Sequence, residues 1–308
     1  CGIIDEMDSS TWCWVAFPTI KGEKFMRYVI THLYFGFDDE IEISENEFKA
    51  LHEARNRALL LSSLEEKFML VLENYEELEQ EILRLSLHQM IFLDRSAPTF
   101  IDNLRLINRR FLNFLATCRL YKDHSAHDVS TIYGKNSKQF HEYDHLHSKQ
   151  YEHSIGYRVM EAARNFSQHR SLIISGINHK IDRKREDNHE AHLSFINLSI
   201  PRLREEGGFK VSVLSELEAI SEENGNVDIR PLMREYISSI IEIHLELRNI
   251  FDNITSKFDS IILDAIDRLN SLSGKEHDSV YIVAYKDGDE IAEKFPLLRD
   301  FIERRRRI

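Results

Sequence analysis

Hydrophobic positions in the first half of this chain recur mostly at intervals of three and four residues, the period of an amphipathic helix. A short helix is predicted over about residues 45–60. A longer one is predicted over 62–91, because serine followed by acidic residues is typical of a helix start. Pro98 then resets the chain before a helix over about 100–124. This half is therefore expected to be helical.

The second half continues this pattern after a polar, histidine-rich segment at 125–153, whose later part has helical propensity. A helix is predicted over about 153–170 and a long amphipathic helix over about 230–272. A further helix closes the chain. The apolar side of the 153–170 helix is expected to comprise Ile155, Val159, Ala162, Ala163 and Phe166.

Short stretches of β-branched and aromatic residues interrupt the helices. They lie at 25–37 and 280–285, and the pair 171–177 and 192–200 is expected to form a hairpin around the charged stretch 182–188. With only 11 Gly and 5 Pro, the composition also favours helix. The fold class predicted is mainly α (α+β), a helical bundle with a small accessory antiparallel sheet.

The order of these elements predicts three regions. Residues 1–60 form an N-terminal segment that contains strand. Residues 61–272 form the helical core, with the β-hairpin near 171–200 inserted in it. Residues 273–308 supply a C-terminal strand and helix, expected to pack on the core.

Charge and composition restrict the function. The 308 residues carry a formal net charge of -12, the wrong sign for coating nucleic acid through bulk electrostatics. Contact with RNA would need a local basic cleft. Three cysteines are too few and too scattered for a disulfide framework. The acidic first residues do not resemble a signal peptide, and no apolar run reaches the roughly 18 residues of a membrane span. A cytoplasmic location without a membrane partner is expected.

The main candidate for chemistry is Arg164-Asn165-x-x-x-His169, within EAARNFSQHR at 161–170. On a helix, Asn165 and His169 share a face, and Arg164 lies about 100° round from Asn165. An imidazole with a pKa of about 6.5 can serve as a general base or acid, and a guanidinium fits the charge on phosphoryl oxygens. These residue types therefore suit phosphodiester chemistry without a metal or other cofactor.

The motif resembles that of the HEPN superfamily, helical domains whose ribonucleases carry Arg, then a polar residue, then His near one end of a late helix. The resemblance implies a HEPN-like bundle over 100 to 170 residues from about residue 62 onward. It also implies a metal-independent endoribonuclease in which the ribose 2′-hydroxyl attacks the adjacent phosphorus. Two copies of the motif helix would converge in a homodimer. Arg164, Asn165 and His169 would be the catalytic residues.

Further residues are expected to assist this site. Arg119 and His124, from a polar earlier helix, and Glu161 would support the motif. Local positive potential for RNA would come from Arg158, Arg170 and Lys180. The expected substrate is tRNA or mRNA, and the resemblance implies a role in phage defence or growth arrest, with an inhibitor or antitoxin protein as a further partner.

Other interpretations remain open. Arg164 could be a surface arginine paired with Glu161, with His169 interacting favourably with the helix dipole, in a non-catalytic binding or oligomerisation module. Arg119/His124 has the same five-residue separation, so the spacing alone is weakly specific.

A zinc peptidase is the other alternative, because His141-Glu142-Tyr143-Asp144-His145 matches H-E-x-x-H. His141 and His145 would bind the metal, with Glu161 as third ligand and Glu142 as the base. The flanks of this segment are hydrophilic, which favours a solvated helix instead.

Overall fold

The structure is a computed structural model that describes residues 26–32, 39–93, 96–184, 189–274, 276, 280–287 and 290–307. The strands of this part of the chain are β1 (Met26–His32), β2 (Glu40–Ile43), β3 (Gly176–Lys184), β4 (His189–Ser199), β5 (Asn226–Asp228), β6 (Val280–Lys286) and β7 (Glu290–Leu297). Its helices are α1 (Glu45–Phe92), α2 (Ala97–Tyr133), α3 (Lys138–His153), α4 (Ile155–His169), α5 (Ile200–Glu206), α6 (Val211–Glu218), α7 (Ile229–Ser273) and α8 (Arg299–Arg307).

Helix predominates in these residues, and the strands form two small antiparallel sheets. The prediction of a mainly α fold with an accessory antiparallel sheet is therefore confirmed. None of the helices in the described ranges is apolar over the length that a bilayer crossing requires.

One compact unit comprises the chain up to His52 together with Asp264–Leu297. Its sheet has the strand order β2-β1-β6-β7. Val29 and Ile30 of the inner strand β1 are fully buried, and Val29 lies opposite Val283 of β6. Strands from distant parts of the chain thus share one sheet, so the unit does not follow the boundaries predicted at residues 60 and 272. Part of the predicted 25–37 strand lies outside the described residues.

The second unit comprises Glu53–Leu263 and the chain from Leu298 onward. Its core is aromatic and aliphatic; the largest side chains buried there include Phe111, Phe114, Tyr121, Tyr157, Phe166 and Phe251. The hairpin of β3 and β4 continues into β5 and forms this unit's own sheet. The candidate motif belongs to this unit.

Helix α4 is placed by contacts at both ends. Ser154 caps its start by accepting a hydrogen bond from the Tyr157 backbone N–H at 2.9 Å. Gly156 packs so closely on α7 that a Cβ there would lie 2.5 Å from the Leu232 carbonyl oxygen. Beyond the helix end, Arg202 donates to the Ser171 hydroxyl and the Leu172 carbonyl, each at 2.9 Å. These contacts fix the position of the last turn.

Helix α2 runs antiparallel to α4. Lys122 Nζ donates to the Tyr157 hydroxyl at 3.4 Å near the start of α4. At the other end, the buried Asn108 side chain donates to the Ile174 carbonyl at 3.0 Å and accepts from the Ile174 N–H at 3.2 Å, just beyond α4. The predicted buried stripe of α4 is also confirmed, since Val159, Ala162, Ala163 and Phe166 are all buried.

Three local predictions were wrong. Ser62 does not begin a helix, because α1 is continuous and Ser62 is buried between the core residues Leu61 and Leu64. The hairpin begins at Gly176 rather than residue 171, because Ile173 and Ile174 pack into the core ahead of it. Residues 182–184 continue β3 instead of forming a loop.

Candidate functional site

The three motif residues lie in the last two turns of α4. Arg164 is half-buried, and Asn165 and His169 are exposed. The buried stripe of the helix faces the core, so it turns this polar side toward solvent. The motif is therefore accessible to a substrate.

Arg164 has no carboxylate partner within the described ranges. Its Nη1 donates a hydrogen bond to the Asn165 side-chain oxygen at 3.0 Å, and its Nε is buried without a hydrogen-bond acceptor. A guanidinium has five N–H donors and prefers a carboxylate or phosphate. Arg164 thus has a positive charge and donor capacity that this part of the chain does not use.

The alternative pairing of Arg164 with Glu161 is not formed. Glu161 instead accepts a hydrogen bond from the Tyr236 hydroxyl at 3.2 Å and lies 3.7 Å from Lys122 Nζ. Glu161 therefore stabilises the packing of α4 on its neighbouring helices, and it leaves the charge of Arg164 uncompensated.

His169 is in the last turn of α4, one residue before the helix C-cap. It makes no hydrogen bond, ion pair or ring contact with another residue in the described segments. Both nitrogens of the imidazole can therefore reach a bound molecule. The same position is favourable for a positive charge near the negative end of the helix dipole.

Arg119 and His124 do not join the motif. They flank Lys122, which contacts Tyr157 near the start of α4. His169 lies 12 residues further along α4 than Tyr157, about 18 Å at 1.5 Å per residue. Arg119 is also hydrogen-bonded to Asp123 at 2.8 Å. The structure thus removes these two residues from the supporting role predicted for them.

The residues predicted to bind RNA differ in how free their charges are. Arg158 is fully engaged: its Nε and Nη2 donate to the Glu216 carboxylate at 2.6–3.1 Å, and its Nη1 donates to two backbone carbonyls. It is a structural residue. Arg170 follows His169 directly, is exposed, and has no partner among the described residues. Lys180 is exposed on β3.

The zinc alternative finds no assembled site. His141 and His145 lie on the exposed face of α3, whereas Tyr143 and His147 form its buried face. The described residues contain no group of three or more His, Cys, Asp or Glu side chains that could hold a metal ion. The third ligand proposed from sequence, Glu161, is occupied by Tyr236 and Lys122.

A buried polar cluster that sequence reasoning missed lies between α1 and α7. Glu65, 5% exposed, accepts hydrogen bonds from Arg248 Nε at 2.9 Å and pairs with His244 Nε2 at 3.1 Å. The other ring nitrogen of His244 pairs with the Tyr121 hydroxyl at 2.8 Å, and Phe68 stacks on the imidazole at 3.7 Å. This cluster satisfies its own charges, so it stabilises the fold rather than offering a site.

Comparison with protein-family models, with curated proteins and with solved structures gave no match for this chain. The functional argument therefore depends on the residues at the end of α4.

Proposed function

We propose that this protein is a metal-independent endoribonuclease of the HEPN type, with Arg164, Asn165 and His169 as its catalytic residues. The observation that carries the proposal is Arg164: a half-buried arginine without a carboxylate partner in the described chain, beside an exposed histidine. An arginine kept on a helix surface only for stability would be expected to pair with Glu161 three residues before it.

The reaction is attack of the ribose 2′-hydroxyl on the adjacent phosphorus. A P–O bond forms to the 2′ oxygen and the bond to the 5′ oxygen breaks, leaving a 2′,3′-cyclic phosphate and a 5′-hydroxyl. Arg164 stabilises the negative charge that develops on the phosphoryl oxygens. Asn165 orients the guanidinium through the hydrogen bond to Nη1.

This reaction needs one group to accept the 2′ proton and another to protonate the leaving 5′ oxygen. A single imidazole supplies only one of these roles at a time, so the second is assigned to His169 of another copy. A two-fold homodimer would bring the two motifs together on one strand. The resemblance to HEPN proteins extends the proposal to cytoplasmic cleavage of tRNA or mRNA in phage defence or growth arrest, with an inhibitor or antitoxin protein as partner.

Cleavage of RNA by purified wild type and Arg164→Ala tests the proposal. The wild type should cut a mixture of tRNA and mRNA in the presence of chelator and leave cyclic phosphate ends. Arg164→Ala should lower the rate about 10²- to 10³-fold, as loss of a charge-stabilising donor does in other enzymes.

Arg105→Ala is the matched control, because it removes an exposed arginine from α2 that is paired with Asp102. It should cut at the wild-type rate. If the wild type cuts no RNA, or if Arg164→Ala cuts at the rate of Arg105→Ala, the proposal is wrong, and a non-catalytic binding module is the better interpretation.

A further inference from the structure

A turn of two glycines lies against the end of the motif helix. Gly207 and Gly208 both have left-handed backbone conformations, with φ of 64° and 86°. Gly207 ends α5 by donating its N–H to the Leu203 carbonyl at 3.2 Å. The next residue, Phe209, packs its ring against Phe166 of α4 with centroids 5.8 Å apart. These contacts hold the turn beside the last turns of α4.

The side chain of Arg170 crosses the second glycine of this turn. A Cβ placed on Gly208 would lie 2.9 Å from Arg170 Nε and 3.4 Å from its Cγ. A Cβ placed on Gly207 would meet no atom within 4 Å. The absence of a side chain at Gly208 therefore leaves the space that the arm of Arg170 occupies, whereas Gly207 has no such role.

Arg170 gains no ion pair in this position. Within the described ranges it makes no hydrogen bond or ion pair through its guanidinium, and it directly follows His169. The protein carries 52 acidic residues, so an unpaired arginine next to an exposed histidine and the unpaired Arg164 concentrates positive charge at one place. A polyanion is the ligand class that such a place attracts.

We infer that Gly208 is a positioning residue, which holds Arg170 beside His169 as a contact for a second RNA phosphate next to the one cleaved. This inference rests on the proposed ribonuclease function. It adds a specific role for the Gly207-Gly208 turn, and it assigns the site two adjacent nucleotides of single-stranded RNA.

The test compares Gly208→Ala with Gly207→Ala. Both changes impose a left-handed conformation on alanine, but only the first places a methyl group against Arg170. The affinity for a short fluorescent 2′-O-methyl RNA of mixed sequence, which cannot be cleaved, is measured over a range of salt concentrations. Thermal unfolding of each variant serves to match their stabilities.

Arg170→Met, which keeps the aliphatic arm and removes the charge, should weaken binding about tenfold and reduce the salt slope by about 0.7, the value for one phosphate contact on a single strand. Gly208→Ala should show the same change, and Gly207→Ala should match the wild type. Gly208→Ala combined with Arg170→Met should be no weaker than Arg170→Met alone.

The inference is overturned if Gly208→Ala and Gly207→Ala bind equally, or if Arg170→Met binds as the wild type does. If Gly208→Ala does not fold, Arg170→Met alone decides whether the second phosphate contact exists. Cleavage of unmodified RNA by the same wild-type sample separates the two proposals. Cleavage with unaltered binding by these variants rejects only the role of Gly208 and Arg170, whereas absence of cleavage rejects the ribonuclease itself.

Discussion

Two regions of this protein contain an arginine, the asparagine that follows it and a nearby histidine, and they differ in what surrounds those residues. At the end of α4, the charge of Arg164 is uncompensated in the described chain and His169 is exposed. In α7, Arg248 is paired with Glu65, and His244 is 1% exposed beneath the ring of Phe68.

The difference lies in the available counter-charge. Glu65 supplies Arg248 and His244 with the acceptor that each needs, and burial makes those interactions strong. No carboxylate does this for Arg164, since Glu161 is turned to Tyr236 and Lys122. A cluster that satisfies its own charges stabilises the fold, and a cluster that does not is available to a ligand.

Glu65→Ala should have the largest effect on stability. It leaves the buried His244 and Arg248 without their acceptor, and loss of one partner from a buried pair costs about 3–5 kcal/mol. Urea denaturation at neutral pH measures the free energy of unfolding. Glu66→Ala, an exposed neighbour on α1, is the control and should change it by no more than about 0.5 kcal/mol. Equal effects of the two changes would show that the cluster does not stabilise the protein.

The contribution of Glu65 should also depend on pH. Burial by itself raises the pKa of Glu65, but hydrogen bonds and charge interactions with His244 and Arg248 outweigh it and lower the pKa. The ionised carboxylate therefore stabilises the protein above the unfolded-state pKa of about 4.3, and this contribution is lost as the pH falls through the lower pKa of the folded state.

The gap in unfolding free energy between wild type and Glu65→Gln should accordingly be constant near neutrality and narrower at strongly acidic pH. Denaturation of both proteins across that range measures it. A gap that widens in acid would mean that the folded-state pKa of Glu65 is raised instead.

Arg164→Ala should have the smallest effect on stability. Only the hydrogen bond to the exposed Asn165 is lost, so the free energy of unfolding should change by no more than about 0.5 kcal/mol. Arg248→Ala, the matched change in the buried cluster, should cost about 2 kcal/mol, because Glu65 then loses its charged hydrogen bonds. A large loss of stability in Arg164→Ala would assign that arginine to the fold.

The sequence was most informative where one helix face is apolar over many residues. The helix predicted over 230–272 is observed at Ile229–Ser273, and the buried face of α4 agrees residue by residue. The serine at position 62 misled, because its helix-start pattern is local, whereas the neighbouring Leu61 and Leu64 continue the buried face of α1 through it. Tertiary packing overrides a capping preference worth about 1 kcal/mol.

The candidate site was predictable only as a set of residue types. The order Arg-Asn-x-x-x-His and its helix could be found from the sequence, but the partner of Arg164 could not. Glu161 is correctly spaced to pair with it and is turned elsewhere by Tyr236, which is 75 residues away in the chain. Likewise, Glu65 and His244 are separated by 179 residues, so no local pattern indicates their contact.

The most direct measurement is the single-turnover rate of RNA cleavage by His169→Ala in the presence of chelator, beside wild type and His153→Ala. His153 is the matched control, an exposed histidine in the last turn of α3. Removal of a general acid or base should slow His169→Ala about 10²- to 10⁴-fold, while His153→Ala keeps the wild-type rate. Equal rates in all three proteins would contradict the assignment of catalysis to the end of α4.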